Sequence, residues 1–173
     1  MTDLSAPAII AIIGTAIAAF TDARTGKIYN KLTGPLILIG WVANIALGQP
    51  LVGLLGFLLA TAIHMPTWFL GIQKGGDVKL IMGIGACMGW EFILEFTLYY
   101  AALYLVVGTL ALVVRGRLFN LYMLMRFHLK ERAAAAKRKN ETGETEDVHA
   151  FEATVLWTGP VIFAATLATI YFA

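Results

Sequence analysis

Five stretches of this chain carry no Asp, Glu, Lys or Arg: Ala6–Phe20, Leu36–Leu47, Leu51–Leu70, Tyr99–Val114 and Thr154–Ala173. They are candidate membrane spans, because a charge is costly in the hydrocarbon core and about 20 apolar helical residues cross it. The composition agrees. Of 173 residues, 59% are hydrophobic and 14% charged, and the mean hydropathy is +0.76, an apolar content above that of soluble domains. The amino terminus lacks a basic region and a small-residue cleavage site, so Ala6–Phe20 reads as a permanent first helix rather than a targeting segment.

The pattern predicts an all-α, polytopic membrane protein with about six transmembrane helices, at about residues 4–24, 34–49, 51–71, 77–90, 94–115 and 153–172, in one domain over 1–173. Loop charge tests the count. Arg24, Lys27 and Lys31 follow the first helix, Lys74 and Lys79 flank the join of the third and fourth, and the other basic residues lie between Arg115 and Lys139. All thirteen then fall on the cytoplasmic side, with both termini outward, as the positive-inside rule requires. The stretch from Val78 to Val114 would be about 55 Å of helix, too long for one span. Glu91 and Glu95 predict a break near Trp90–Leu94, in an outer turn where carboxylates are cheaply solvated.

The connection 116–152 opens with an amphipathic segment, Leu118–Leu129, in which Leu118, Leu121, Tyr122, Met125 and Leu129 recur at helical spacing, a pattern suited to the inner membrane surface. Its continuation passes from Lys137-Arg138-Lys139 to Glu141, Glu144, Glu146 and Asp147, the composition of a solvated loop. A net charge of +2 without a basic patch excludes a nucleic-acid partner. Cys87, the only cysteine, excludes an internal disulfide and a cysteine-clustered metal site, and its apolar neighbours predict a packing role.

Chemistry at the ends of the spans falls to two acids. The first helix reaches the inner headgroups only by running through Asp22 to about Arg24, and the short fourth helix places Asp77 at the same level, so both lie at one membrane face. Acids in that position are usually functional or paired. Asp22 could instead neutralise Arg24 or Lys27, and Asp77 could cap the fourth helix while offsetting Lys79. Gly75 and Gly76 stand directly before Asp77, where they allow φ > 0 and close approach of backbone, so that an extended peptide could lie beside the acid.

Thr21-Asp22-Ala23-Arg24, with Lys27-Ile28-Tyr29-Asn30-Lys31-Leu32-Thr33, and Gly75-Gly76-Asp77-Val78-Lys79-Leu80, with Gly83, Gly85 and Gly89, resemble the prepilin peptidases (type IV leader peptidases). These are Gly-x-Gly-Asp intramembrane aspartic proteases, and the likeness is to the small forms associated with tight-adherence (Flp-type) pili. Gly159-Pro160, opening the last helix, is a weaker echo. Lys74 stands where the family pattern has its first glycine, and Tyr29 where it usually has proline.

The resemblance implies an aspartic endopeptidase of the bacterial inner membrane, with Asp22 and Asp77 catalytic and Gly75, Gly76, Lys79 and Asn30 supporting the motif. Its substrate would be a pilin-like precursor cut after a glycine at the cytoplasmic face, with pilus or secretion assembly proteins as further partners and no metal or cofactor. Larger members carry an amino-terminal methyltransferase region, and here the first span begins almost at Met1, so the expectation is proteolysis without N-methylation. Two close carboxylates cannot both ionise cheaply, so one keeps a proton while the other activates water. An ion-coupled transporter using the acids and His64, and a silent assembly scaffold, are the rival readings.

Overall fold

A computed structural model describes residues 5–70, 72–114 and 158–172. Among them are six helices, α1 (Ala6–Thr25), α2 (Asn30–Ala46), α3 (Pro50–Phe69), α4 (Gly75–Met88), α5 (Trp90–Val114) and α6 (Thr158–Phe172), and no strand. By packing, the chain divides into two compact units, residues 1–104 with 157–173, and residues 105–156. Both aspartates belong to the first unit, and the described part of the second is the end of α5, residues 105–114. The amphipathic segment and the charged connection predicted within 116–152 lie outside the described residues.

α1, α2 and α3 each bury a narrow stripe of mostly small or polar residues and turn most of their large apolar side chains outward. On α1 the stripe is Ala8, Ala11, Thr15, Ala18 and Asp22; on α2 it is Thr33, Leu36, Gly40 and Asn44; on α3 it is Gly53, Gly56, Ala60 and His64. The three-and-four spacing is one face of a helix. Exposed instead are Ile9, Ile13 and Ile17 on α1, Leu38 and Val42 on α2, and Leu51, Leu55 and Leu58 on α3. This inversion suits a lipid solvent, in which large apolar residues gain nothing by turning inward and small ones let backbones approach. Three helices, α1, α3 and the Trp90–Leu110 part of α5, are long and apolar enough to cross a membrane.

α4 is the enclosed element. Every residue from Asp77 to Cys87 except Lys79 is buried, and the helix packs against α1, α2, α3 and α6. Glycines set the approach of α3: a Cβ at Gly56 would run into the Gly85 carbonyl and lie 2.6 Å from the carbonyl carbon of Gly89. Asn44 of α2 locks the far end of α4, its Nδ2 donating to the carbonyls of Ala86 and Cys87, both at 2.9 Å. Cys87 is buried against Leu36, the packing role expected of it.

Several boundaries differ from expectation by a few residues, and three of them have a local cause. The break before α5 falls at Gly89, whose φ of 90° only glycine adopts readily, and the exposed Glu91 and Glu95 ride on the first turns of α5. A carboxylate beside a helix amino terminus is favourable, so glutamates there do not force a break. α2 starts at Asn30 rather than 34, because Tyr29 already has the extended conformation of an N-cap, φ −83° and ψ 138°. α4 starts at Gly75 rather than Asp77.

Candidate active site

Asp22 faces inward because it continues the small-residue stripe of α1, four residues beyond Ala18. Gly26 stops the helix one turn later, with φ 67° and its N–H donating to the Asp22 carbonyl at 2.8 Å. Asp77 lies in the first turn of α4, and both side chains are 1% exposed.

The first two residues of α6 bring the acids together. The Thr158 hydroxyl donates to Asp77 Oδ1 and the Gly159 N–H to Asp22 Oδ2, each at 2.8 Å. The Lys74 N–H donates to Asp77 Oδ2 at 3.2 Å. Asp77 therefore has a donor on each oxygen, whereas Asp22 Oδ1 is buried without a hydrogen-bond partner among the described residues. Asp22 lies close enough to Asp77 for its charge to act on it. An orphaned carboxylate oxygen in an apolar interior costs about 1–3 kcal/mol or more, which marks a site built for something other than stability.

The alternative of simple neutralisation is not what the side chains do. Among the described residues neither acid forms an ion pair. Arg24 lies over the Phe20 ring, 4.4 Å from its centroid. Lys79 is exposed and donates from Nζ to Asn30 Oδ1 at 2.9 Å, and Lys74 Nζ donates to the Gly26 carbonyl at 3.3 Å. Capping is real in part, since Asp77 accepts from the N-cap backbone of its own helix. The two lysine bonds join the α1–α2 turn to the start of α4 at the end of the unit where both acids sit. At the surface such a bond contributes about 0.5 kcal/mol, so Asn30→Ala and Lys79→Ala are each expected to move the melting temperature in detergent by only a few degrees.

Gly75 and Gly76 do not adopt φ > 0. Among the described residues only Gly26, Gly48 and Gly89 do, and Gly75 and Gly76 form the first turn of α4. This corrects the expectation of an irregular glycine segment there. Their use is close approach: a Cβ at Gly76 would meet the Ile28 carbonyl at 2.9 Å, and one at Gly75 the Trp68 indole nitrogen at 3.3 Å. The backbone that comes close to Gly76 is the chain's own α1–α2 turn. Lys74, with φ −78° and ψ 151°, is extended, a conformation open to any residue, so a lysine fits where the family pattern has glycine. Tyr29 likewise reaches a φ near that of proline without one.

His64 is 2% exposed and is engaged on both ring nitrogens, Nδ1 with Gln73 Oε1 at 3.2 Å and Nε2 with Thr97 Oγ1 at 3.4 Å. Gln73 Oε1 also accepts from the Thr67 hydroxyl at 2.6 Å. The cluster ties α3 and α5 to the turn before α4. Sequence reasoning missed Gln73 and Thr158. Thr158 had one legible signal, a hydroxyl directly before Gly159-Pro160 at the head of an apolar run.

Among the described residues no cluster of His, Cys, Asp and Glu could hold a metal ion. No curated protein and no solved structure matches the chain. The model of the type IV leader peptidase family matches residues 9–113, which takes in Asp22, Asp77 and the turns beside them but stops short of α6. Over half of the 173 residues are thus matched, with the two acids buried and joined in the structure: the chain belongs to the type IV leader peptidase family.

Proposed function

We propose that this protein is a membrane aspartic endopeptidase that removes the leader of type IV pilin-like precursors, with Asp22 and Asp77 as its catalytic pair. The observation that carries this is the joining of two buried carboxylates by consecutive donors of α6, with one oxygen left without a partner among the described residues. Hydrolysis of an amide by such a pair needs one carboxylate and one carboxylic acid. The carboxylate takes a proton from water as its oxygen attacks the scissile carbonyl carbon, and the acid gives its proton to the carbonyl oxygen. The first group then passes its new proton to the leaving nitrogen, the second recovers one from the collapsing diol, and the carbon–nitrogen bond breaks.

The finer reading is cleavage of Flp-type precursors at the cytoplasmic face of the inner membrane by a six-span chain, without N-methylation. Positive-inside charge supports the side, since Arg24, Lys27, Lys31, Lys74 and Lys79 flank the helix ends that carry the acids. Co-expression with a small precursor bearing Gly-Glu before an apolar helix tests the proposal. The expected result is a shortened product whose mass places the cut after that glycine and shows no added methyl group. An unprocessed precursor, with ion flux in proteoliposomes, would favour transport.

Gly159 gives a sharper expectation. A Cβ there would meet Asp22 Cβ at 2.8 Å and the Ala18 carbonyl and Ala19 Cα at 3.1 Å. Backbone on α1 cannot yield cheaply, so Gly159→Ala would push the start of α6, and both donors, away from the acids. Misplacement of about 1 Å can cost about 100-fold in rate. Cleavage by Gly159→Ala is expected to fall by about that factor, read from initial rates at equal amounts of folded protein.

A further inference from the structure

The two acids differ at their Oδ1 oxygens. A peptide N–H can only donate, and each acid accepts one, Asp22 Oδ2 from Gly159 and Asp77 Oδ2 from Lys74, so these bonds do not tell the two apart. A hydroxyl can donate or accept, so Thr158, which donates to Asp77 Oδ1 here, can turn and accept from that oxygen once it carries a proton. Of the two acids only Asp22 has, among the described residues, a buried oxygen with no partner, Oδ1, and water activation needs such a free acceptor. The helix ends do not decide between the acids, because Asp77 lies in the first turn of α4 and Asp22, in the last turn of α1, lies against the first turn of α6.

We propose that Thr158 is a positioning residue for the acid of the pair: Asp77, partnered by a hydroxyl in either protonation state, is the proton-carrying acid, and Asp22 is the carboxylate that activates water through Oδ1. This rests on the aspartic-peptidase reading above. The charged and titratable groups acting on or from Asp77 are Asp22 of α1, Lys74 of the turn before α4, and Tyr100 and Tyr104 of α5. α2, α3 and α6 present none to it among the described residues. Thr158 is thus an uncharged partner whose removal alters Asp77 without altering the surrounding charges.

The test is the pH dependence of kcat/KM for precursor cleavage by full-length Thr158→Val and Thr158→Ser in detergent. The hydroxyl bonds a carboxylate more strongly than it accepts from a carboxylic acid, so removing it disfavours ionised Asp77 more than the protonated form. As the acid, Asp77 would then stay protonated to higher pH, so in Thr158→Val the alkaline limb moves up by about one unit while the acid limb stays. kcat falls about tenfold with KM within about twofold, and Thr158→Ser restores the profile. If Thr158→Val does not fold, Thr158→Cys, with a weak S–H donor, carries the same reading. Movement of the acid limb alone would reverse the roles and overturn the proposal. An unchanged profile, or a Thr158→Ser as impaired as Thr158→Val, would reduce Thr158 to packing. Cleavage surviving Asp22→Asn or Asp77→Asn would instead sink the underlying reading, so the two failures are separable.

Discussion

Asp22→Asn and Asp77→Asn are each expected to lower precursor cleavage by about 1,000-fold or more. Asparagine keeps the shape of the side chain and can still accept the donors seen here. At position 22 the amide oxygen can accept the Gly159 N–H, and at 77 it can accept the Lys74 N–H while Thr158 turns its hydroxyl to accept. The fold should therefore survive. What goes is the group that gains or gives a proton, and acid–base catalysis of that kind contributes about 100- to 10,000-fold. Because the two act as a unit, the double variant is expected to be little worse than either single one. Initial rates with a purified precursor, beside a melting curve in the same detergent, check both statements.

Gly56→Ala is expected to cause the largest loss of stability. The added Cβ would run into the Gly85 carbonyl and the carbonyl carbon and Cα of Gly89, at 2.6 and 2.7 Å for the last two. All three are backbone, with no rotamer to yield. Either α3 moves off α4, or the turn at Gly89 shifts, and α4 carries Asp77. Overpacking of a close interface costs about 1–3 kcal/mol and more where nothing can relax. The expected result is a melting temperature in detergent lowered by about 10 °C or loss of folded protein. Gly108→Ala, where a Cβ meets nothing within 4 Å, is expected to be neutral.

The helix layout was legible because lipid imposes it. Charge-free runs and basic loops mark helix ends whatever the tertiary packing, and α1 and α3 fall within a few residues of their predicted bounds. Span length singled out Asp22, but that it faces inward, in register with Ala11, Thr15 and Ala18, emerged only with the packing of α1. The break before α5 was placed in the wrong residues because two glutamates drew attention to themselves, while Gly89, with the φ that ends α4, carries no charge. The conformation of Gly75 and Gly76 was misread for a related reason. Glycine signals either a positive φ or a missing Cβ, and only the nearness of Ile28, brought in by the α1–α2 turn, distinguishes the two.

Least legible was α6. Thr158 and Gly159 lie more than 80 residues beyond Asp77, and no local pattern ties a hydroxyl and a peptide N–H to carboxylates on other helices. The same holds for Gln73, which looks like an ordinary loop residue until His64 and Thr67 are seen to bond to it. Side-chain identity supplied the reactive groups; tertiary packing supplied the donors that distinguish one acid from the other.

The central claim is that Asp22 and Asp77 together cut a leader peptide. It is tested most directly by incubating the purified chain with a purified pilin-like precursor in detergent and weighing the products by mass spectrometry, for the wild type, Asp22→Asn and Asp77→Asn side by side. The account predicts two fragments, cut after the glycine, from the wild type alone. Fragments of the same masses from either folded variant, at the wild-type rate, would contradict it.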